Sequence, residues 1–417
     1  MLNKKGEREL CYTVRIDAIE PIVGSDNCEA AVVGGWKIMT RKGTFKPGDI
    51  AIYFEIDSKL PEVYWSGFLA AKHYKVKTQK YTFGGKGNFV SQGLLMAFED
   101  FKDAFGGIPS CLANLQSQMI NGIDISNVFL TKELEVTYAI AEDNKRKATV
   151  NKYVRMKQRN AKLFAKYKLL RTLYNKDWGK KLLFFFLGNR HDIKASFWPD
   201  WVVKTDEERV QNLPQLFPPD NTEWFVTEKI DGTSTTMTMK RGRRKKKYEY
   251  YVCSRNVCFD KADKQCFYET NVYTEIAQRY NMEFVLYDIL DTHEDLQFVT
   301  IQGETYGKGI QNRDYHMENT DFMAFNLIFG YKDGHTTRLN PKAMTEVLSQ
   351  YNIPCVPILD EHFKLPNTID EMVTYADGDS VVDGDYREGV VLRTYDGVNS
   401  FKAVSNYYLC SKYGNNQ

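Results

Sequence analysis

Lys229 has the residue type and the sequence context of a covalent nucleophile. It stands in FVTEKIDGTS (residues 225–234), where β-forming residues precede it and a second β-rich run begins at Thr233, so the lysine is predicted at a bend between two strands. Its amine could attack an electrophile once neutral, and nearby cations or a metal ion would favour the neutral form. Asp231 could help to hold such a metal, and Gly232 would let a large phosphorylated ligand approach the backbone. By itself, Lys-x-Asp-Gly is also compatible with an ordinary surface turn.

The composition is that of a soluble globular protein. The chain has 417 residues, of which 43% are hydrophobic and 26% charged, enough for two or three domains. The strongest apolar run, 182–188, is too short to cross a membrane, and the N-terminus lacks the apolar core of a signal peptide. Eight cysteines contain no Cys-x-x-Cys pair, which favours reduced thiols over a zinc site. We therefore expect a soluble, cytoplasmic protein without membrane contact.

Residues 1–141 predict an OB-type β-barrel. Short strand-like runs follow one another over residues 11–98, separated by Gly, Asp, Asn and Pro turns, and a Pro-Gly-Asp turn at 47–49 introduces a strand with an aromatic face. Barrels of this type commonly bind single-stranded nucleic acid, although such a barrel can also merely pack against its neighbour. Residues 99–122 show no regular pattern, and residues 124–140 return to a strand-like pattern.

Residues 142–198 are predicted to be a basic, largely helical insertion or linker. Between residues 145 and 181, fourteen lysines and arginines face a single acid, Asp177, and apolar residues recur at roughly helical spacing without a proline. One-sided charge of this density predicts contact with phosphates, although a solvated helix face would also explain it. A second basic run, 241–247, lies at the tip of a predicted hairpin. The candidate nucleic-acid-binding residues of these stretches are Lys157, Arg159, Lys162, Lys166, Arg243 and Arg244.

Residues 199–417 predict a separate α+β domain of antiparallel sheets and helices. A proline-flanked stretch, 199–219, introduces it, and strands then alternate with a few helices, such as 272–280 and 341–350. The domain contains neither a Gly-x-Gly-x-x-Gly fingerprint nor a Walker loop. The common dinucleotide-binding and P-loop folds are therefore not indicated.

Five further motifs follow the lysine along the chain. They are SRN at 254–256, QGETYGKGIQN at 302–312, FMAFNLIF at 322–329, REGVVLR at 387–393 and SFKAVS at 400–405. Each motif alone is weak, but the ordered set resembles the covalent nucleotidyltransferases, the superfamily of polynucleotide ligases and mRNA capping enzymes. It is most similar to RNA ligases with an N-terminal OB module, and the lead-in KTDEERVQNLP at 204–214 also resembles that subfamily. The resemblance implies an α+β fold, in which the OB-type barrel precedes an ATP-grasp-like nucleotidyltransferase domain.

The resemblance implies ATP and Mg²⁺, or Mn²⁺, as cofactors. Lys229 would attack the α-phosphate of ATP and form lysyl-AMP, and Lys402 would offset the charge on that phosphate. Asp231, Glu304 and Glu388 would lie near a hydrated metal ion, with Glu304 also binding the ribose. These residue types suit phosphoryl transfer, because that reaction depends on positioning and charge neutralisation. Glu388 could instead be an ordinary surface acid.

Three further residues would bind the substrates. Glu228 would lie beside the adenine, Phe325 would stack on it, and Arg255 would contact the ribose or an incoming RNA 5′-phosphate. Phe325 could instead belong to the core, and Arg255 to a structural ion pair. Two positions depart from the family: the last motif has Lys402 without a second lysine two residues later, and Asn326 replaces a frequent aspartate.

Among these relatives, the resemblance favours RNA end joining. DNA ligases and capping enzymes generally carry a C-terminal OB domain, for which the fifteen residues after Lys402 leave no room. The expected reaction joins RNA 3′-OH and 5′-phosphate ends, with a nicked duplex as one candidate substrate and a monomer as the expected state. The alternatives are a capping-type or DNA-ligase nucleotidyltransferase and a catalytically inactive nucleic-acid-binding protein. The intact charged residues argue against the last.

Neutralising part of the basic segment tests its predicted contact with RNA. Replacing Lys157, Arg159, Lys162 and Lys166 by glutamine should weaken RNA binding and flatten its salt dependence, because fewer neutralised phosphates release fewer counterions. The formation of lysyl-AMP should not change. RNA affinity at several salt concentrations measures the effect. Unchanged affinity in a cooperatively folded variant would indicate that these residues form a solvated helix face instead.

Overall fold

The N-terminal part of the chain is built from short antiparallel strands. The computed structural model describes residues 1–3, 7–83, 88–139, 163, 167–174, 176–187, 198–242, 248–255, 258–259 and 272–411. The N-terminal elements are β1 (Cys11–Arg15), β2 (Ala18–Pro21), β3 (Cys28–Val33), β4 (Trp36–Arg41), β5 (Ile50–Phe54), β6 (Ser58–Lys59), β7 (Gln79–Thr82), β8 (Asn88–Ser91), β9 (Leu94–Met96), α1 (Ser110–Ile120) and β10 (Thr137–Tyr138). Short 3₁₀ helices cover Tyr64–Lys72 and Phe98–Phe101.

Two three-stranded sheets of this part share one aromatic core. The first sheet has the order β1-β5-β9 and places Tyr12 opposite Tyr53, while the second has the order β2-β3-β4. Alternation along β4 turns Trp36 and Ile38 inward. The Tyr53 ring centroid lies 5.5 Å from that of Tyr12 and 5.8 Å from that of Trp36. Burial of such large side chains is the main favourable term in folding, so the aromatic face predicted after residues 47–49 is part of the core.

Two stretches differ from their sequence-based interpretation. Residues 99–122, which show no regular pattern, contain helix α1. Only Leu112 and Leu115 of this helix are buried, and two buried residues give a weak periodic signal. Residues 124–140 were predicted to be strand-like, but in their described part only Thr137–Tyr138 form a strand, paired with β6. Apolar residues of this stretch, such as Leu134, reach the core from turns instead.

The described part of the basic segment is mainly helical. Its helices are α2 (Lys168–Tyr174) and α3 (Asp177–Leu187), and Leu183 packs against Leu170 and Leu173. No helix in the described ranges is long and apolar enough to span a bilayer. The predicted nucleic-acid contacts Lys157, Arg159, Lys162, Lys166, Arg243 and Arg244 lie outside the described residues.

The remainder of the chain forms two sheets with helices on their outer faces. Its elements are β11 (Glu208–Arg209), β12 (Glu223–Lys229), β13 (Thr233–Arg241), β14 (Tyr248–Ser254), β15 (Cys258–Phe259), α4 (Val272–Arg279), α5 (Met282–Thr292), β16 (Leu296–Gly307), β17 (Thr320–Tyr331), β18 (Thr336–Arg338), α6 (Pro341–Ser349), β19 (Ile358–Lys364), α7 (Ile369–Ala376), β20 (Gly389–Thr394), β21 (Ser400–Val404) and α8 (Asn406–Cys410). The five-stranded sheet has the order β11-β21-β20-β12-β19, and the six-stranded sheet has the order β15-β14-β13-β16-β17-β18. The predicted helices at 272–280 and 341–350 are confirmed as α4 and α6.

The cores lie on the helical sides of the sheets and leave polar faces free. Helices α4, α5 and α6 bury the six-stranded sheet through side chains such as Met237 and Ile301, while α7 buries the five-stranded sheet through side chains such as Val390. Thr238 and Gln302, which alternate with these core residues, face the other way and contact segment 198–207. A polar groove therefore separates the two sheets.

The chain crosses between the sheets directly after Lys229. Strand β12 of the five-stranded sheet ends at this lysine, and β13 of the six-stranded sheet begins at Thr233. Gly232 is needed in the crossing, since a Cβ there would lie 2.4 Å from the backbone oxygen of Thr305. The predicted bend is confirmed, and it places the lysine where the two sheets meet.

The N-terminal part packs against the start of the second part. The backbone N–H of Leu2 donates to Glu208 over 2.6 Å, and the Trp36 indole donates to Asn212 over 2.6 Å. Both acceptors belong to the lead-in at 204–214 that precedes β12. The first domain is thereby held close to the groove.

Truncation of Leu286 tests the core beneath the six-stranded sheet. Leu286 in α5 is 0% exposed, whereas Phe284 on the same helix is 52% exposed. Leu286→Ala should lower the free energy of unfolding by about 2–5 kcal/mol, because it leaves a cavity, and the control Phe284→Ala should change it by about 0.5 kcal/mol or less. Urea unfolding followed by circular dichroism measures both; similar losses in the two variants would contradict this core.

Candidate active site

Lys229 is the residue around which the groove is arranged. Its backbone pairs with Gly389 of β20, which brings Glu388 beside it. The Nζ of Lys229 donates to Oε2 of Glu388 over 2.6 Å, and the lysine side chain is 25% exposed. Burial alone would lower the pKa of Lys229, but Glu388, Glu304 and Asp231 raise it above its ordinary value. The amine is therefore charged as long as these acids surround it.

Two of these acids have pKa values near neutral pH. Burial, together with repulsion from Glu388, raises the pKa of Asp231 to about 7, and burial raises the pKa of Glu304 to about 8. The Tyr408 hydroxyl donates to Asp231 over 2.5 Å, and the Asp231 backbone N–H donates to the Tyr315 hydroxyl oxygen over 2.7 Å. Three carboxyl groups thus share one lysine in a partly buried space.

A divalent cation fits this donor set. Mg²⁺ and Mn²⁺ prefer oxygen ligands, and a positive ion would stabilise the carboxylate forms that burial disfavours. Across the described ranges, the oxygens of Asp231, Glu304 and Glu388 do not come within 4.8 Å of one another as a group of three. The arrangement accordingly suits a hydrated ion, and the metal role of these acids stays a prediction.

Lys402 and Arg255, from opposite sheets, meet at the carboxylate of Asp206. Lys402 Nζ lies 2.6 Å from one oxygen of Asp206, and Arg255 Nη2 lies 2.5 Å from the other. Burial lowers the pKa of Lys402 to about 8, and the nearby Arg8 and Arg209 act in the same direction. Burial opposes ionisation of Asp206, but Lys402 and Arg255 hold its pKa far below the usual range. Both predicted phosphate contacts are therefore present in the groove as cations paired with one acid.

Glu228 lies next to the lysine but is buried against a loop. Its Oε2 accepts from the backbone N–H of Val381 over 2.9 Å, and burial raises its pKa. The other oxygen, Oε1, is buried and has no hydrogen-bond partner within the described residues. A buried acceptor without a partner costs free energy, so this oxygen is suited to accept from an N–H of a ligand.

Phe325 belongs to a small apolar cluster between the sheets. It packs with Ile230, Val356 and Val382 and is only partly buried. This position is compatible with stacking on a base, and that role stays a prediction. Asn326 donates to Gln302 over 2.8 Å within the six-stranded sheet, which accounts for an amide at this position.

Several residues of the site were not identified from the sequence. Arg313 forms a buried ion pair with Asp383, donates to the Tyr386 carbonyl over 2.7 Å, and lies 4.2 Å from the ring centroid of Tyr315. It thereby fixes the tyrosine that contacts the backbone of Asp231. The sequence did contain a signal for Arg313, because this residue directly follows the motif at 302–312. Tyr408, in contrast, follows the last motif without any pattern of its own.

Two family models and several solved structures are similar to this chain. Residues 222–404 match the family model of RNA ligase, and residues 10–97 match the model of an OB-fold domain. No curated protein matches the chain. A solved structure of Naegleria gruberi RNA ligase with PPi is 25% identical, with a TM-score of 0.66 over 97% of this chain and 98% of that one. A variant of that ligase with ATP and Mn is also 25% identical, with a TM-score of 0.66 over 96% of this chain and 98% of that one.

Removal of Asp383 tests the ion pair that supports the site. Because both partners have side chains that are 1% exposed, Asp383→Ala leaves a buried guanidinium without its counter-charge and should cost about 3–5 kcal/mol of stability. Glu318→Ala breaks the exposed pair with Lys308 (2.7 Å) and should cost about 1 kcal/mol or less. Urea unfolding of both variants measures the difference, and equal costs would contradict a supporting role for the buried pair.

Proposed function

From the premise that this chain is a member of the RNA ligase family with an OB-fold domain ahead of its ligase domain, we propose how its groove joins RNA ends. The reaction is ATP-dependent and proceeds through lysyl-AMP and RNA-adenylate to seal a 3′-OH to a 5′-phosphate. The observation that carries this proposal is the position of Lys229 between two sheets, with three acids on one side and Lys402 among the surrounding cations.

ATP and a divalent metal are the cofactors. The similar Naegleria structures include complexes with PPi, with AMP and Mn, and with ATP and Mn. In this chain Asp231, Glu304 and Glu388 would hold Mg²⁺ or Mn²⁺ through water. When bound, the ion offsets negative charge on the phosphates.

The first step needs a neutral amine in line with the leaving group. Lys229 attacks the α-phosphorus, a bond forms between its nitrogen and that phosphorus, and the bond to pyrophosphate breaks. Glu388 now holds the amine in its charged form, so the lysine becomes a nucleophile only after that contact is weakened. Lys402 neutralises negative charge on the oxygens of the α-phosphate.

Nucleotide binding follows from the groups beside the lysine. The unpaired Oε1 of Glu228 would accept from the adenine amino group, and Phe325 would stack on the ring. Glu304 would bind the ribose. A buried acceptor rejects a ligand that lacks the matching N–H, which favours ATP over GTP.

The later steps need the RNA ends. Arg255, whose side chain is 44% exposed, would contact the 5′-phosphate, and the N-terminal domain (1–141) would hold the RNA. The basic segment (142–198) would add phosphate contacts. We further propose that the enzyme is cytoplasmic and monomeric and that residues 199–417 form its catalytic domain. A nicked duplex is one candidate substrate.

The mass of the protein after incubation with ATP and Mg²⁺ tests the proposal. Wild-type protein should gain one AMP, whereas Lys229→Ala should gain none, because no other amine occupies the end of β12. Lys342→Ala, which removes a lysine that is 56% exposed and lies outside the motifs, is the matched control and should gain AMP normally. A normal adduct on Lys229→Ala would overturn the assignment of the nucleophile, and a GMP adduct formed from GTP would point to capping-type transfer.

A further inference from the structure

Asp206 is an acid in the groove to which neither the motifs nor the comparisons assign a role. One carboxylate oxygen lies 2.6 Å from Lys402 Nζ and the other lies 2.5 Å from Arg255 Nη2. The side chains of Asp206 and Lys402 are only 10% and 11% exposed. One carboxylate thus bridges the two cations that are proposed to contact phosphates.

The backbone on both sides of Asp206 is fixed in the groove. Just before it, the hydroxyls of Thr205 and Ser234 are 2.8 Å apart, which ties the segment to the six-stranded sheet. Just after it, β11 pairs in parallel with β21, and Arg209 lies opposite Lys402 in that register. The carboxylate is therefore held between the sheets by its own chain, independently of its two ionic partners.

The charges around Lys402 explain why an acid is needed there. The cations that face Lys402 are Arg8 from the N-terminal segment, Arg209 from β11 and Lys229 from β12, and all of them oppose its protonation. Asp206 is the group that raises the pKa of Lys402 against burial and these cations. Without Asp206, the like charges would repel one another in a partly buried space.

We propose that Asp206 is a positioning residue that holds Lys402 and Arg255 together so that both cations converge on one phosphate group. An ammonium has three N–H donors and a guanidinium has five, so each can keep its bond to Asp206 and still bind a phosphate oxygen. That phosphate is the α-phosphate of ATP in the first step or the 5′-phosphate of RNA in the second. The inference rests on the proposed ligase function and adds a residue to it.

Asp206→Asn tests the proposal because it removes the charge and keeps the shape. The value of kcat/KM for lysyl-AMP formation reports groups of the free enzyme, so it should be measured across pH. Loss of the carboxylate should move the alkaline limb of the profile to lower pH by about 1–2 units and reduce kcat/KM near pH 7.5 roughly tenfold. In the double variant Asp206→Asn with Lys402→Arg, the alkaline limb should move back to the wild-type pH or above, because an arginine stays charged throughout this range.

Asp370→Asn is the matched control. Asp370 pairs with one lysine, Lys37, over 2.8 Å in an ion pair between the two parts of the chain, away from the proposed catalytic residues. Its profile should coincide with that of the wild type. A variant Asp206→Asn that matches the wild type in both lysyl-AMP formation and transfer of AMP to RNA, or that loses lysyl-AMP formation equally at every pH without rescue by Lys402→Arg, would overturn the positioning role.

A second assay identifies the phosphate. Pre-adenylated wild type and Asp206→Asn are mixed with 5′-phosphorylated RNA, and transfer of AMP is followed. A deficit only with ATP assigns the α-phosphate, a deficit only with RNA assigns the 5′-phosphate, and no deficit in either assay overturns the proposal.

Two further results distinguish a folding defect, or a failure of the proposed function, from a failure of the role proposed for Asp206. If Asp206→Asn fails to fold, Asp206→Glu keeps the charge, and it should react more slowly with its alkaline limb at the wild-type pH; a displaced limb would overturn the proposal. A wild-type protein that forms no lysyl-AMP would overturn the proposed function itself. A wild type that forms lysyl-AMP and transfers AMP to RNA, while Asp206→Asn matches it in both steps, would overturn only the role of Asp206.

Discussion

The groove between the two sheets depends on the pairing of buried and half-buried charges. A charge removed from water is stable only beside an opposite charge or a set of hydrogen bonds, so each ionisable group in the groove requires its neighbours. Glu388 favours the charged form of Lys229, and Asp206 favours the charged form of Lys402. The pKa values of Asp231 and Glu304 lie near neutral pH. The site is therefore prepared for highly charged ligands, since a metal ion and phosphates supply the missing partners.

The N-terminal domain is part of this charge arrangement. Arg8 pairs with Glu55 of its own domain over 2.7 Å and also stabilises the ionised form of Asp206. The ring of Tyr138 lies between the two domains, with Arg8 and Arg255 each 5.8 Å from its centroid. Arg8 of the N-terminal domain therefore contributes to the charge of the groove. The position of the domain is thus coupled to the electrostatics of the catalytic pocket.

Much of the fold could be predicted because the motifs are local. The bend after Lys229 follows from a β-rich run and a small turn, and residues 222–404, which contain the motifs from Lys229 onward, match the family model of RNA ligase. Prediction failed where periodicity was weak, as in helix α1, and where apolar residues reach a core from turns, as at Leu134. In both places long-range packing, rather than local pattern, decided the conformation.

The sequence by itself determined the nucleophile candidate, the order of the motifs and the class of chemistry, because these depend on residue types and short spacings. Only the tertiary structure decided which charges meet: Asp206 lies 196 residues from Lys402 in sequence, yet the carboxylate and the ammonium are 2.6 Å apart. Electrostatic energy depends on distance in space and on exclusion of water. Neither quantity can be read from the order of residues, so the pairs that tune the site emerge only when the two sheets come together.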